Sequence, residues 1–192
     1  MSGETTESDS TASGGRIAVT GTPGTGKSTA TDLLEDEYDV IHLNERIKSD
    51  DELWTERDAD RDTLVADLDA IADSLGDWSG VLDSHLAHRF DVDRVVVLRC
   101  RPDAIEERLR DRGEPAATVV ENSESEALDV ILSEAVAEHG AENVYEIDTT
   151  ELDPEAVAAA IRDAIEGDRE PSAGTVDFME YLPAARESRT DR

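Results

Sequence analysis

Short runs dense in β-branched residues recur along the chain at Ile17-Ala18-Val19, Val40-Ile41, Val81-Leu82, Val95-Val96-Val97-Leu98 and Val144-Tyr145-Glu146-Ile147. Apolar runs of this length, without polar alternation, predict strands buried on both faces, as in a parallel sheet covered by helices. Helical spacing fills the intervals. The first strand is followed by a glycine-rich turn and a helical pattern through Leu33-Leu34, and Pro102 begins a charged helix. Leu68, Ile71, Ala72 and Leu75 mark a helix closing at Gly76, and Leu128, Ile131, Leu132, Ala135 and Val136 mark another. A last helix carries Val157, Ile161 and Ile165, opens with a capping acid and a first-turn proline at Asp153-Pro154, and closes at Gly167. This strand–helix alternation predicts an α/β fold with a five-stranded parallel sheet flanked by helices.

Two stretches fit that alternation poorly. Residues 44–67 are highly charged, with Trp54 as the main large apolar residue, and residues 112–122 have no clear period and contain Glu114-Pro115. Both are expected to be insertions over the sheet, either mobile or plain surface excursions. Residues 1–15 form a polar tail rich in Ser, Thr, Gly and Glu, and a second tail follows Gly167. Within that tail, Val176 to Leu182 is too apolar for a pure spacer, which suggests docking on the body or on a partner.

The 192 residues carry 48 Asp plus Glu against 18 Lys plus Arg, a formal charge of −30. A chain so acidic has no extended face to neutralise phosphates, which argues against general DNA or other nucleic-acid binding. Lys27 and Lys48 are the only lysines, and acid is spread over nearly every segment. The pattern suggests a protein adapted to high salt, where screening removes much of the self-repulsion. One cysteine, Cys100, allows no intramolecular disulfide, and no apolar stretch is long enough to span a bilayer. The first residues lack the basic and apolar regions of a signal peptide, so a soluble, cytoplasmic protein is expected.

The strongest chemical signal is Gly21-Thr22-Pro23-Gly24-Thr25-Gly26-Lys27-Ser28, a full match to the P-loop pattern between a strand and a helix. Backbone amides at Gly24, Gly26 and Lys27 are expected to wrap a β-phosphate. Lys27 would bridge β- and γ-phosphates, and Ser28 would hold Mg²⁺. Asp83, at the end of the Val81-Leu82 strand, is the candidate second acid, acting on the metal through water. His85 lies two residues on, placed to orient a water or sense the γ-phosphate. Positive charge gathers at Arg99, Arg101, Arg108, Arg110 and Arg112. Arg108 and Arg112 share a helix face and are candidate phosphate clamps, whereas Glu106 and Arg110 form an ordinary i,i+4 pair.

Neither lysine fits the guanine-reading motif of Ras-type GTPases, and Asp77-Trp78-Ser79-Gly80 precedes its strand where the switch motif of those proteins follows one. A small-molecule or nucleotide kinase is the natural reading. The loop extended to Thr29, the Asp83-Ser84-His85 triplet, Arg108-Leu109 with Arg112-Gly113, Glu121-Asn122 with Glu126, and Glu146-Ile147-Asp148-Thr149-Thr150 occur in that order. Together they resemble the archaeal and eukaryotic adenylate kinase 6 (CINAP-type) family, over about residues 16–166.

The resemblance implies a P-loop NTPase fold over 16–166, with an AMP-binding insertion at about 42–66, a short lid at about 111–121 and a C-terminal tail over 167–192. It implies ATP and Mg²⁺ as cofactors and AMP as substrate. It implies broad-specificity nucleoside monophosphate kinase activity, ATPase activity, and a role in small-subunit ribosome maturation and rRNA processing, through a small-subunit ribosomal protein and the 30S precursor RNA. An alternative is a ribosome-assembly ATPase switch in which AMP phosphorylation is incidental. Carried over by position, Gly24, Gly26, Lys27, Ser28 and Thr29 would bind ATP phosphates and Mg²⁺, with Asp83 and His85 as the Walker-B-like pair. Arg112 would be the lid arginine, Thr149 and Thr150 would lie near the adenine, and Lys48 near the AMP phosphate. The chain departs from the family at Glu114, where a lid Tyr is usual, and at Thr118, where a Lys is usual.

Overall fold

The computed structural model describes residues 15–58 and 63–182. The expected N-terminal tail, apart from Gly15, and the last ten residues of the C-terminal tail lie outside the described residues. Five strands form one parallel sheet: β1 (Arg16–Thr20), β2 (Val40–His42), β5 (Gly80–Asp83), β6 (Arg94–Arg99) and β7 (Val144–Asp148), in the order β2-β5-β1-β6-β7. All five were legible as apolar runs, and alternation along them explains why those runs are continuous. Ile17, Val19, Val81, Val96 and Leu98 face one core with Val157 and Ile161, while Ala18, Leu82, Val95 and Val97 face the other with Ile71 and Leu132. Both faces are dry, so neither set of positions is free to be polar.

The helices are α1 (Lys27–Asp32), α2 (Leu43–Ser49), α3 (Leu68–Leu75), α4 (Pro102–Asp111), α5 (Ala116–Ala127), α6 (Val130–His139) and α7 (Pro154–Glu166). The capping acid expected at α7 operates, and α3 has one that the sequence reading did not name. Asp67 accepts from the Ala70 amide at 3.0 Å, Asp153 accepts from the Ala156 amide at 2.8 Å, and Gly167 closes α7 in the left-handed region.

Four expectations need correction. Within 44–67 the described residues are built structure, for α2 seats Leu43 and Ile47 in the core, Leu53 follows, and β3 (Trp54–Asp58) pairs antiparallel with β4 (Thr63–Ala66). Charge concealed the i,i+4 pair of α2 and the short hairpin. The irregular reading of 112–122 holds only to Pro115, since α5 begins at Ala116. Its inward stripe is Val119, Ser123, Glu126 and Ala127, so two polar residues occupy positions where the helical signal should be apolar. The helix expected through Leu128 breaks at Asp129, a non-glycine residue in the left-handed region (φ 54°), and α1 ends before Leu33-Leu34.

Residues 168–182 dock on the body. Ser172 pairs in parallel with β7, its amide donating to the Val144 carbonyl at 2.9 Å and its carbonyl accepting from the Glu146 amide at 2.8 Å. Phe178 is buried.

Candidate active site

The carboxyl ends of the strands in an open parallel sheet form the customary ligand crevice, and here they bring together the residues that the sequence singled out. The loop from Gly21 to Ser28 leaves β1, the central strand, and runs into α1. At Gly21 (φ +139°) a Cβ would stand 2.3 Å from the Leu98 carbonyl oxygen, so only glycine lets the loop start this close to β6. Gly26 (φ +94°) opens α1, and a Cβ there would meet no atom within 4 Å. The first amides of a helix have no intrahelical partner, so the mouth of this loop offers donors beside open space. Lys27 is buried, its ammonium donating to the carbonyls of Gly21 (2.7 Å) and Thr22 (3.0 Å). Burial lowers its pKa to about 8 against the opposing pull of Asp83 and Glu126, with Arg112 adding to the lowering. A desolvated cation held by neutral carbonyls is poised to exchange them for phosphate oxygens.

Ser28 and Asp83 meet across β1 and β5, Ser28 Oγ donating to Asp83 Oδ2 at 2.8 Å. Asp83 is 2% exposed, and its Oδ1 is buried without a hydrogen-bond partner among the described residues. A buried carboxylate oxygen left bare beside a hydroxyl and a phosphate loop is the donor set that a hard divalent cation with water in its shell takes up. Sequence reasoning missed the third contact: His42 at the end of β2 places Nδ1 3.0 Å from the same Asp83 Oδ2, and its Nε2 lies 3.2 Å from Glu35. Burial pushes the His42 pKa down, but the hydrogen bonds to Asp83 and Glu35 and the charges of Asp83 and Asp32 together raise it. Residue 42 ends a short apolar run and pairs in register with Asp83, so only the strand order reveals it.

His85 is half-buried in the turn after β5, and its ring has no hydrogen-bond partner among the described residues. Burial, the Lys27 charge and His88 lower its pKa to about 4, so the imidazole is neutral near pH 7. The turn is fixed from beneath. Thr20 Oγ1 donates to the His85 carbonyl at 3.2 Å and lies 3.0 Å from Nδ1 of buried His88, whose Nε2 meets Glu134 at 3.0 Å.

The arginine cluster divides. Arg108 is the part that touches the loop, donating to the Gly24 carbonyl at 3.1 Å, and Arg110 pairs with Glu106 as expected. Arg112 caps α4 and is exposed, with its charge sensed at Lys27. Arg99, 1% exposed, is buried among Glu126, Glu146 and Asp129 and contributes no free charge to the crevice. Thr29 is exposed on α1 and Lys48 on α2. Thr149 is 2% exposed, its hydroxyl 2.9 Å from both the Thr25 and the Arg99 carbonyls. The Thr150 hydroxyl donates to Asp148 and accepts from the Arg101 amide.

A family model described as an AAA domain matches residues 17–129. The chain is 64% identical over 168 residues to the protein named "Putative adenylate kinase" of Natronomonas pharaonis, covering 87% of this chain and 99% of that one. It is 54% identical over 169 residues to the protein of the same name from Halobacterium salinarum, with 87% and 99% covered. Among solved structures, a sulfotransferase from Alicyclobacillus acidocaldarius superposes with a TM-score of 0.51 at 15% identity, over 91% of this chain and 89% of that one, a likeness of fold alone. With its P-loop on the central strand of a five-stranded parallel sheet, the chain belongs to the AAA-type P-loop family that includes these archaeal proteins.

Proposed function

We propose that the protein is a nucleotide kinase that transfers the γ-phosphate of ATP to AMP. The observation that carries the reading is the convergence of Lys27, Ser28 and Asp83 at one end of the sheet, with Asp83 Oδ1 bare. The names of the archaeal relatives support the choice of AMP as acceptor. Phosphoryl transfer asks little covalent chemistry of a protein; positioning and charge neutralisation do most of it. The amides of Gly24, Gly26 and Lys27 and the Lys27 ammonium hold the phosphate chain, and Thr29 extends the polar rim of the loop. Ser28 and Asp83, the latter through water, fit Mg²⁺, which when bound screens the β- and γ-phosphate charge. Arg112, on the segment that we assign as lid, swings toward the phosphates. Lys48, on α2 of the AMP-binding insertion, meets the acceptor phosphate. Thr149 seats the loop by bonding Thr25, and Thr150 lines the adenine side. The breadth of acceptors taken is part of this proposal.

A second reading is favoured by one observation: His85 is kept neutral beside Lys27 with its ring unpartnered, as a water-orienting group for ATP hydrolysis would be. In that reading hydrolysis switches the protein's grip, during maturation of the 30S precursor, on a basic small-subunit ribosomal protein to which its acidic surface is complementary. ADP formation from Mg·ATP, with and without AMP, separates the two. Acceleration by AMP supports the kinase, and hydrolysis indifferent to AMP but stimulated by the ribosomal partner supports the switch.

A further inference from the structure

We propose that the docked C-terminal segment is part of the phosphate site, acting as a positioning element whose seat on Arg99 sets the conformation of the P-loop. The proposal rests on the nucleotide-binding reading given above.

The chain of contacts is continuous and buried. Thr22, in the P-loop, donates its hydroxyl to Glu126 Oε2 at 2.5 Å. Glu126, 3% exposed, accepts at Oε1 from Arg99 Nε at 2.7 Å and from the Cys100 amide at 3.1 Å. Arg99 donates Nη1 to Glu146 Oε1 at 2.5 Å and Nη2 to Asp129. Glu146, on β7, spends its other oxygen on the tail: the Thr175 amide donates at 2.6 Å, the Thr175 hydroxyl at 2.8 Å and the Val176 amide at 3.2 Å. Phe178 closes the arrangement, its ring 5.5 Å from the Arg99 guanidinium carbon.

This arrangement exceeds what is needed to keep a tail in place. One guanidinium faces three carboxylates, and a buried charge cluster of that kind holds only while every partner is satisfied. The tail supplies three donors to Glu146 and an aromatic face to Arg99, so its loss admits water and leaves the Glu146 Oε2 atom without those donors. The consequence reaches the loop at Thr22, whose carbonyl is one of the two that grip the Lys27 ammonium. It also reaches Asp129, the residue held in the left-handed region between α5 and α6. A non-glycine residue persists there when its surroundings over-determine it, and Arg99 is what determines it. The tail, the junction of α5 and α6 and, through Glu126, the P-loop are thus tied to one guanidinium.

The test is a double-mutant cycle in the full-length chain, read as the Kd for Mg·ATP. Phe178→Ala, with Phe178→Leu as a variant that keeps apolar bulk, removes the ring from Arg99; Thr22→Val cuts the link at the loop. Phe178→Ala is expected to weaken ATP binding about three- to tenfold, a usual size for coupling through a packed network. That loss should largely vanish in the Thr22→Val background. Thr175→Val should weaken binding in the same sense, and Thr175→Ser, which keeps the hydroxyl, should restore it. A tail that only stabilises the fold would lower the melting temperature yet leave the Kd unchanged below the transition, or would give equal effects with and without Thr22; either result overturns the proposal. Wild type that binds no ATP overturns the nucleotide reading as well, whereas wild-type binding with no coupling overturns this proposal alone.

Discussion

Thr149→Val distinguishes two roles for a residue that sequence reading places near a nucleotide base and the structure buries against the P-loop. The substitution is nearly isosteric, so it opens no cavity. It removes the hydroxyl that lies 2.9 Å from both the Thr25 and the Arg99 carbonyls. The Arg99 carbonyl keeps the Thr149 amide, which donates at 2.8 Å, so the uncompensated loss falls on Thr25. Leaving one buried acceptor unpaired costs about 1–3 kcal/mol. In a chain of this length about 1 kcal/mol lowers the melting temperature by roughly 2–4 °C, so a fall of about 2–12 °C is expected. Because Thr25 belongs to the P-loop, the KM for ATP should rise with it. Thr149→Ser, which retains the donor, should lose less on both counts. The assay is a thermal melt followed by the kinetics of AMP phosphorylation with ATP or GTP as donor. An unchanged melting temperature with altered preference between ATP and GTP would refute the tether and make Thr149 a base contact.

Two further expectations concern charge. Stability should rise steeply with KCl, since salt screens the self-repulsion of a chain at −30; a melting temperature independent of KCl between low and molar salt would contradict this. Burial holds the His88 pKa below its ordinary value despite Glu134, so the unfolded chain binds the proton first as the pH falls. His88 therefore contributes stability that is present above about pH 6.5 and is lost as the pH falls below it, with a slope of at most about 1.4 kcal/mol per pH unit. Denaturant melts of wild type and His88→Gln across that range check the sign: the variant's curve should be flatter, and an equal slope would contradict it.

How much was legible in the sequence depended on whether a residue's partners are local. The five strands and the P-loop could be read because each is one continuous run, and Asp83 followed because it ends such a run. The hairpin of Trp54 and Ala66 and the helix from Ala116 were hidden, the first by charge and the second because Ser123 and Glu126 hold inward positions that ordinarily are apolar. Arg99 looked like one of five cations available to an anion. It closes the strand Arg94–Arg99, whose inner residues Val95 to Leu98 are all apolar, and a charge in that position signals a buried network, although its partners lie 27, 30 and 47 residues away. His42 was missed for the same reason, since β2 and β5 are neighbours in space only. Thr149 was placed in the right region by resemblance, but that its hydroxyl faces the loop carbonyl is a tertiary fact.

The most direct test of the central claim is ADP production from Mg·ATP in high KCl, with and without AMP, for wild type, Lys27→Ala and His85→Gly. AMP should accelerate wild-type turnover many-fold, and Lys27→Ala should lose turnover. His85→Gly should lose mainly the AMP-independent hydrolysis. Turnover retained without Lys27, or slow hydrolysis to which AMP makes no difference, would contradict the assignment of the P-loop and crevice as a site of phosphoryl transfer to AMP.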